Sequence, residues 1–264
     1  MVSIQILSWN RPFILFLTLL SIKRVLINAS FDYELLILDQ NSNWITKKII
    51  RLFIFDKVIE PSSNIGMAKA WALLNSHRSS NSKYILQLEN DWWCCTKKVS
   101  FFVDAIMVLQ SSSEVAFVKL RKNYDFQAGV NMINKEPQTV YPLPLHIFYY
   151  IPLNNLNFAL ISDSRFSCFT FNPTLMKAEF RDEVADAYTD NKYSDISILR
   201  SGEDFPTKFW EKQNRWQSAV ISNAPFMHTG FHSRRYIILG VPLFYLVELF
   251  MWIQLIVFKE RVFK

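Results

Sequence analysis

Hydrophobic positions in the first half of the chain fall into short blocks, each followed by a polar exit. Val2-Ser3-Ile4-Gln5-Ile6-Leu7 alternates and is rich in branched residues, the period-two pattern of a strand. Ser8-Trp9-Asn10-Arg11-Pro12 interrupts it, and Pro12 suits the first turn of a helix running to about Asn28. Tyr33 to Leu38 is apolar apart from Glu34 and predicts a buried strand with the exit Asp39-Gln40-Asn41-Ser42. Trp44 to Leu52 predicts a helix, Asp56 to Glu60 a short strand or edge, and Pro61 to Asn64 a loop. A helix from Gly66 to about His77 follows, then a buried strand over Tyr84 to Leu88 that ends in Glu89-Asn90-Asp91. Phe101 to Gln110 predicts a helix and Ala116 to Leu120 a strand. Strand and helix alternate through short connections, the signature of a parallel sheet covered by helices.

The second half is less regular. Pro137 to Pro152 is rich in proline and aromatics and predicts an irregular excursion. Phe158 to Ser162, Phe166 to Phe171 and Gln217 to Ser222 predict strands, Pro173 a helix start, and Glu203 to Lys212 a helix. No internal repeat or low-complexity tract interrupts the chain.

Composition narrows the class. The 264 residues suit one large α/β domain, and with half of them hydrophobic a sizeable core is available. A net charge of +6 favours anionic partners such as nucleotide phosphates. No Lys/Arg stripe interleaved with aromatics is present, so no nucleic-acid partner is expected. The cysteines Cys94, Cys95 and Cys168 make neither a disulfide framework nor a zinc spacing, which points to a reducing, cytoplasmic setting. The amino terminus does not read as a signal peptide, because Asn10-Arg11-Pro12 breaks the apolar run early.

The carboxyl end changes the picture. Tyr236 to Phe258 is nearly all apolar, flanked by Arg234 and Arg235 before it and Lys259, Arg261 and Lys264 after it. It is long enough for ~30 Å of hydrocarbon, although Glu248 near its middle is costly there. Residues 1–233 therefore read as the folded domain. Residues 234–264 read as a C-terminal apolar helical segment that touches a membrane surface or packs as a buried or self-associating helix.

In open parallel sheets ligands bind beyond the carboxyl ends of the strands. Asn10-Arg11-Pro12, Asp39 and Glu89-Asn90-Asp91 all fall there. With five glycines in the chain there is no Gly-rich phosphate loop, which argues against Walker-type and dinucleotide-type binding. Glu89 and Asp91, two residues apart at a strand end, would face one way and suit a hard divalent ion such as Mg²⁺ or Mn²⁺. The alternative for such a pair is a loop spacing without chemistry. Asn64 and Gly66 shape the turn before a helix and either touch a ligand or do not. Trp92 and Trp93 either stack on a sugar or base or belong to the core, His77 and His146 read as structural, and Lys47, Lys48, Lys97 and Lys98 as solvated.

Taken in order, Ser8-Trp9-Asn10-Arg11-Pro12, Asp39-Gln40-Asn41-Ser42, Asn64-Ile65-Gly66-Met67-Ala68 with Asn75, and Leu88-Glu89-Asn90-Asp91-Trp92 resemble the family-2 glycosyltransferases. This likeness covers roughly the first 95 residues. Phe169 to Leu175, Gly202-Glu203-Asp204-Phe205 and Met227-His228-Thr229-Gly230 resemble later segments of the same family. The resemblance implies a GT-A fold, a Rossmann-like α/β architecture with a mixed, mostly parallel sheet flanked by helices. It implies a nucleotide-diphosphate-sugar donor, a divalent cation (Mn²⁺ or Mg²⁺) and a glycan, lipid-linked or protein acceptor. By the same likeness Asn10 and Arg11 line the nucleotide, Asp39 contacts base or ribose, and Asp91 ligates the metal. Glu89 stands where the family has aspartate, and His228 is a further metal or phosphate contact. Asp204 is the general base with Glu203 beside it, in an inverting single displacement. Two other readings remain: a catalytically silent relative that binds a nucleotide-sugar, and a membrane-tethered scaffold.

Overall fold

The computed structural model describes residues 1–121, 148–153, 156–161, 173–189, 215–221, 224–228, 237–238 and 241–242. Strand β1 (Val2–Ser8) is buried along its whole length, as a central parallel strand with helices on both faces must be. Its alternation sorts Val2, Ile4 and Ile6 onto one face and Leu7 onto the other. Pro12 opens α1 (Pro12–Leu26), and Lys23 and Arg24 sit in its last turn, where they oppose the negative helix end. β2 (Tyr33–Asp39) follows, then α2 (Trp44–Ile50), whose Asn43 cap accepts a bond from the Thr46 amide. Next come β3 (Lys57–Ile59), α3 (Met67–Ser76), β4 (Tyr84–Glu89), β5 (Trp92–Cys94), α4 (Ser100–Ser111) and β6 (Val115–Lys119). The remainder supplies β7 (Phe148–Leu153), β8 (Leu156–Ile161), β9 (Thr174–Lys177), α5 (Ala178–Thr189), β10 (Gln217–Ile221), β11 (Phe226–His228), β12 (Ile237–Ile238) and β13 (Val241–Pro242).

A nine-stranded sheet runs in the order β3-β2-β1-β4-β9-β6-β10-β8-β7. Pairings β1–β2, β1–β4, β2–β3 and β6–β10 are parallel, and only β8 and β9 run against the rest. One core lies between the sheet and α1, α2 and α4, with Leu15, Leu19, Ile22, Ile49, Phe101, Phe102 and Val108 buried there. The second lies under α3 and α5, where Trp71, Leu74, Phe180 and Val184 are buried. The expected mixed, mostly parallel α/β sheet is thus present, with helices on both faces.

Four expectations change. Phe148–Leu153 lies in the proline-rich stretch read as irregular, yet it forms β7. Among the described residues it pairs with β8 alone and sits at the sheet edge, where a proline such as Pro152 is tolerated. Pro173 opens no helix: Thr174–Lys177 is inserted between β4 and β6 as β9, and α5 begins at Ala178. Trp92–Cys94, assigned to no element from sequence, is a strand because β11 pairs with it. Ile237–Ile238 pairs with Val241–Pro242 as a two-stranded ladder, so the start of the expected C-terminal helical segment is strand instead. No helix among the described residues is long and apolar enough to cross a membrane. Residues 243–264, the expected strand at Phe166–Phe171 and the expected helix at Glu203–Lys212 lie outside the described residues.

One polar joint locks the second layer. Arg78 Nη2 donates to both oxygens of Asp182 at 2.8 Å, Arg78 Nη1 donates to the Ser82 carbonyl at 2.6 Å, and Asn75 Nδ2 donates to Asp182 Oδ1 at 2.9 Å. Asn75 therefore ties α3 to α5. The Arg78 side chain is largely buried while Asp182 is half exposed, so the pair is worth less than a fully buried one. Asp182→Ala is expected to lower stability by about 1–2 kcal/mol. Urea unfolding should show this as a lower midpoint with an unchanged slope; an unchanged midpoint would remove the joint from the account.

Candidate functional site

The carboxyl ends of β1, β2 and β4 lie side by side because the register pairs Ser8 with Asp39 and Leu7 with Glu89. The chain leaves β1 through Trp9, Asn10 and Arg11, and the last two adopt left-handed backbone (φ 54° and 55°). Consecutive left-handed residues without glycine are strained and need support from outside. That support comes from both neighbouring strand ends. The Asn10 amide donates to Ser42 Oγ at 2.7 Å, and the Asn43 amide donates to Asn10 Oδ1 at 3.0 Å. Asn90 Nδ2 donates to the Trp9 and Asn10 carbonyls at 3.3 and 3.1 Å. Thr18 Oγ1 donates to the Asn90 carbonyl at 2.9 Å, which fixes this turn to α1.

Asp39 is fully buried. It accepts the Ser42 amide at 3.1 Å with one oxygen and the Ser42 hydroxyl with the other. Asp39 thereby holds the same Ser42 that supports Asn10. Burial pushes the Asp39 carboxyl above its ordinary value, against the lowering effect of the Ser42 hydrogen bonds. A carboxyl whose pKa is raised on folding binds its proton more tightly in the fold. The cost of ionising it is therefore absent well below its unfolded pKa and fully present above the folded one. Asp39→Asn, which keeps an acceptor for Ser42, is expected to gain stability as pH rises from 3 to 7, relative to the parent. Chemical denaturation at both pH values checks this; a variant that loses more at pH 7 than at pH 3 contradicts it.

Asp91 is the hub. β4 ends at Glu89, and Asn90 and Asp91 form a turn into β5, so the turn rather than strand alternation aims the Asp91 carboxylate. Arg11 Nη1 donates to Asp91 Oδ2 at 2.8 Å, and His228 Nε2 donates to the same oxygen at 3.1 Å. β11 delivers His228 by pairing it with Trp92, and the two rings lie 4.8 Å apart. Burial opposes ionisation of Asp91, but the His228 hydrogen bond and the charges of His228 and Arg11 outweigh it, and the carboxyl is held below its ordinary value. Arg121, just past the end of β6, places its guanidinium carbon 5.6 Å from the centre of the Trp92 ring and bridges to Phe226. An anionic hub held by one arginine and one imidazole is therefore assembled from three separate chain segments.

The site residues expected from sequence divide as follows. Asn10, Arg11, Asp39, Glu89, Asp91 and His228 come to one end of the sheet. Asn64 Oδ1 accepts the Gly66 amide at 2.9 Å, and Gly66 (φ 78°) takes a backbone shape that suits glycine at the start of α3, which matches their expected turn. His77 caps α3 through the Leu73 carbonyl at 2.9 Å, a structural role. Trp92 is a core residue beneath His228, while Trp93 is half-buried. Glu203, Asp204, His146 and Cys168 lie outside the described residues. Burial pushes the Cys94 thiol up to about 12, which disqualifies it as a nucleophile. Sequence reading missed Arg121 and Thr18, and it placed Asn90 in the strand-exit cluster without a role of its own. The rule that flagged Asp39, a polar residue following an apolar strand, applies equally to Arg121 after Val115–Lys119.

Among the described residues no group of three or more His, Cys, Asp and Glu side chains is placed to hold a metal. Asp91 and His228 instead offer one carboxylate and one imidazole within hydrogen-bond distance of each other. That donor set fits a divalent ion which completes its shell with water and substrate phosphates rather than with protein.

No protein-family model matches the chain, and no curated protein matches it. Solved structures do. Staphylococcus aureus TarS 1–349 in complex with UDP-GlcNAc superposes with a TM-score of 0.52 at 16% identity, over 89% of this chain and 61% of that one. A longer TarS structure gives 0.52 at 14% identity, over 87% of this chain and 36% of that one. A mannosyltransferase from Pyrobaculum calidifontis, in complex with GDP-Man and Mn²⁺, gives 0.47 at 12% identity, over 69% and 46%. The TarS likeness shows a shared α/β fold with a mostly parallel sheet flanked by helices. The chain spans less than two thirds of the length of each.

Proposed function

We propose that the chain is a glycosyltransferase of the family-2 kind, moving a sugar from a nucleotide-diphosphate donor to an acceptor hydroxyl. The observation that carries this is the Arg11–Asp91–His228 cluster at the carboxyl edge of β1 and β4, where a parallel sheet binds its ligand. Asn10 and Arg11 face the nucleotide, and Asp39 acts on that end by fixing the loop they occupy. Asn64, Gly66 and Glu89 complete the donor side. Asp91 and His228 would hold Mn²⁺ or Mg²⁺, which when bound neutralises charge on the departing diphosphate. Arg11 adds fixed positive charge beside Asp91.

In the transfer the acceptor oxygen bonds to the anomeric carbon while the bond to the diphosphate oxygen breaks. Asp204, with Glu203 beside it, takes the hydroxyl proton. One displacement inverts the anomeric centre. We assign this unit to residues 1–233 and membrane contact or packing to 234–264. The acceptor is a glycan, a lipid-linked glycan or a protein.

Calorimetric titration with UDP-GlcNAc and GDP-mannose, with and without Mn²⁺, tests the reading. Binding that depends on Mn²⁺, followed by slow donor hydrolysis, is expected. Binding without any turnover favours the silent relative, a reading kept alive by Glu89 in the place of aspartate. Absence of binding to either donor in both conditions refutes the proposal.

A further inference from the structure

Among the described residues, an apolar surface is exposed at the β3 edge of the sheet. α2 buries Thr46, Ile49 and Ile50 against the core, its other face carries Trp44 and Lys48, and Arg51 and Leu52 follow in the turn at its end. Trp44 is 64% exposed and Leu52 52%, and Ile54 in the following loop is 91% exposed. Val58, 46% exposed, lies on edge strand β3. The register pairs it with Ile37 and so turns it toward the sheet face that α2 covers. Exposed apolar residues scattered singly need no explanation, but a run of four on one helix–loop–strand segment does.

Basic side chains predominate around them. Lys48, Arg51 and Lys57 are exposed among these apolar side chains, and the Lys48 ammonium sits 4.7 Å from the centre of the Trp44 ring. The acidic groups of the segment are engaged: Asp56 accepts the Leu35 amide at 2.7 Å, and Glu60 lies 3.9 Å from Lys47. Aromatic and aliphatic tips set among basic side chains match the interface of an anionic bilayer, where the rings and alkyl groups enter the headgroup layer and the cations meet lipid phosphates.

We infer that the outer face of α2, the loop through Ile54 and edge strand β3 dock the protein on an anionic membrane surface, independently of residues 234–264. The full chain should co-sediment with vesicles of phosphatidylcholine containing about a third phosphatidylserine, and only weakly with phosphatidylcholine alone. Reversing Lys48, Arg51 and Lys57 to glutamate should weaken the binding by more than about 10²-fold, since the loss of three basic charges near an anionic surface already costs that much and the new carboxylates are repelled. Leu52→Ser with Ile54→Ser should weaken it at any salt concentration, whereas reversal of the exposed pair Lys97 and Lys98, on the loop before α4, should leave it nearly unchanged. A readout that needs no substitution is tryptic cleavage after Lys48, Arg51 and Lys57, which anionic vesicles should slow in the unaltered chain. Binding that survives the triple reversal, equal binding to neutral vesicles, or a patch that instead holds two copies together in the absence of lipid each overturns the inference. Donor binding does not enter any of these readouts, so failure here leaves the glycosyltransferase reading untouched.

Discussion

Asp91→Asn should abolish metal-dependent donor binding, lowering affinity for a nucleotide-diphosphate sugar by at least about 10²-fold. The size follows from what the carboxylate does: removing one partner of a buried, hydrogen-bonded charge set costs about 2–5 kcal/mol. Asp91 Oδ2 takes bonds from Arg11 and from His228, so asparagine removes the charge that holds both while keeping the shape of the turn. Asn90, Thr18 and β5 are unchanged by it, and the fold should survive. Titration with donor, with and without Mn²⁺, and a melting curve of the same sample make the check. Retention of parent affinity with full Mn²⁺ dependence would take Asp91 out of the site. His228→Ala should move affinity in the same direction by a smaller step, because it leaves the carboxylate in place.

The second large effect concerns transfer rather than binding. Asp204→Asn should leave donor affinity near the parent value and reduce turnover by about 10²-fold or more, the usual worth of a positioned general base. A hydroxyl is a weak nucleophile, and without an acceptor for its proton the displacement stalls with both substrates bound. The split between unchanged binding and lost turnover distinguishes a base from a residue that merely shapes the pocket. Activity equal to the parent would assign the proton to another group.

The half of the sheet up to β6 was legible because its strands are short apolar blocks with polar exits, and parallel packing leaves little freedom in reading them. Val2–Ser8, Tyr33–Asp39 and Tyr84–Glu89 fall where the pattern puts them, and their exits converge as a parallel sheet requires. What escaped the sequence depends on partners distant along the chain. β5 exists because β11 arrives from more than a hundred residues later, and Thr174–Lys177 becomes a strand because β4 and β6 leave a slot for it. Local pattern holds no trace of either. The site divides in the same way. Asn10, Asp39 and Asp91 announce themselves as strand exits, but the burial of Asp39 against Ser42 and the bond from His228 to Asp91 are products of tertiary packing. The left-handed backbone at Asn10 and Arg11 is likewise imposed by Ser42, Asn43 and Asn90.

The most direct test is a crystal of the protein grown with UDP and Mn²⁺, with anomalous scattering recorded for manganese. The expected map shows one manganese peak between the Asp91 carboxylate and the His228 imidazole, with the diphosphate reaching toward Arg11 from the carboxyl edge of β1. Manganese and nucleotide bound together at any other place on the molecule, with Asp91 still holding Arg11 and His228, would contradict the account.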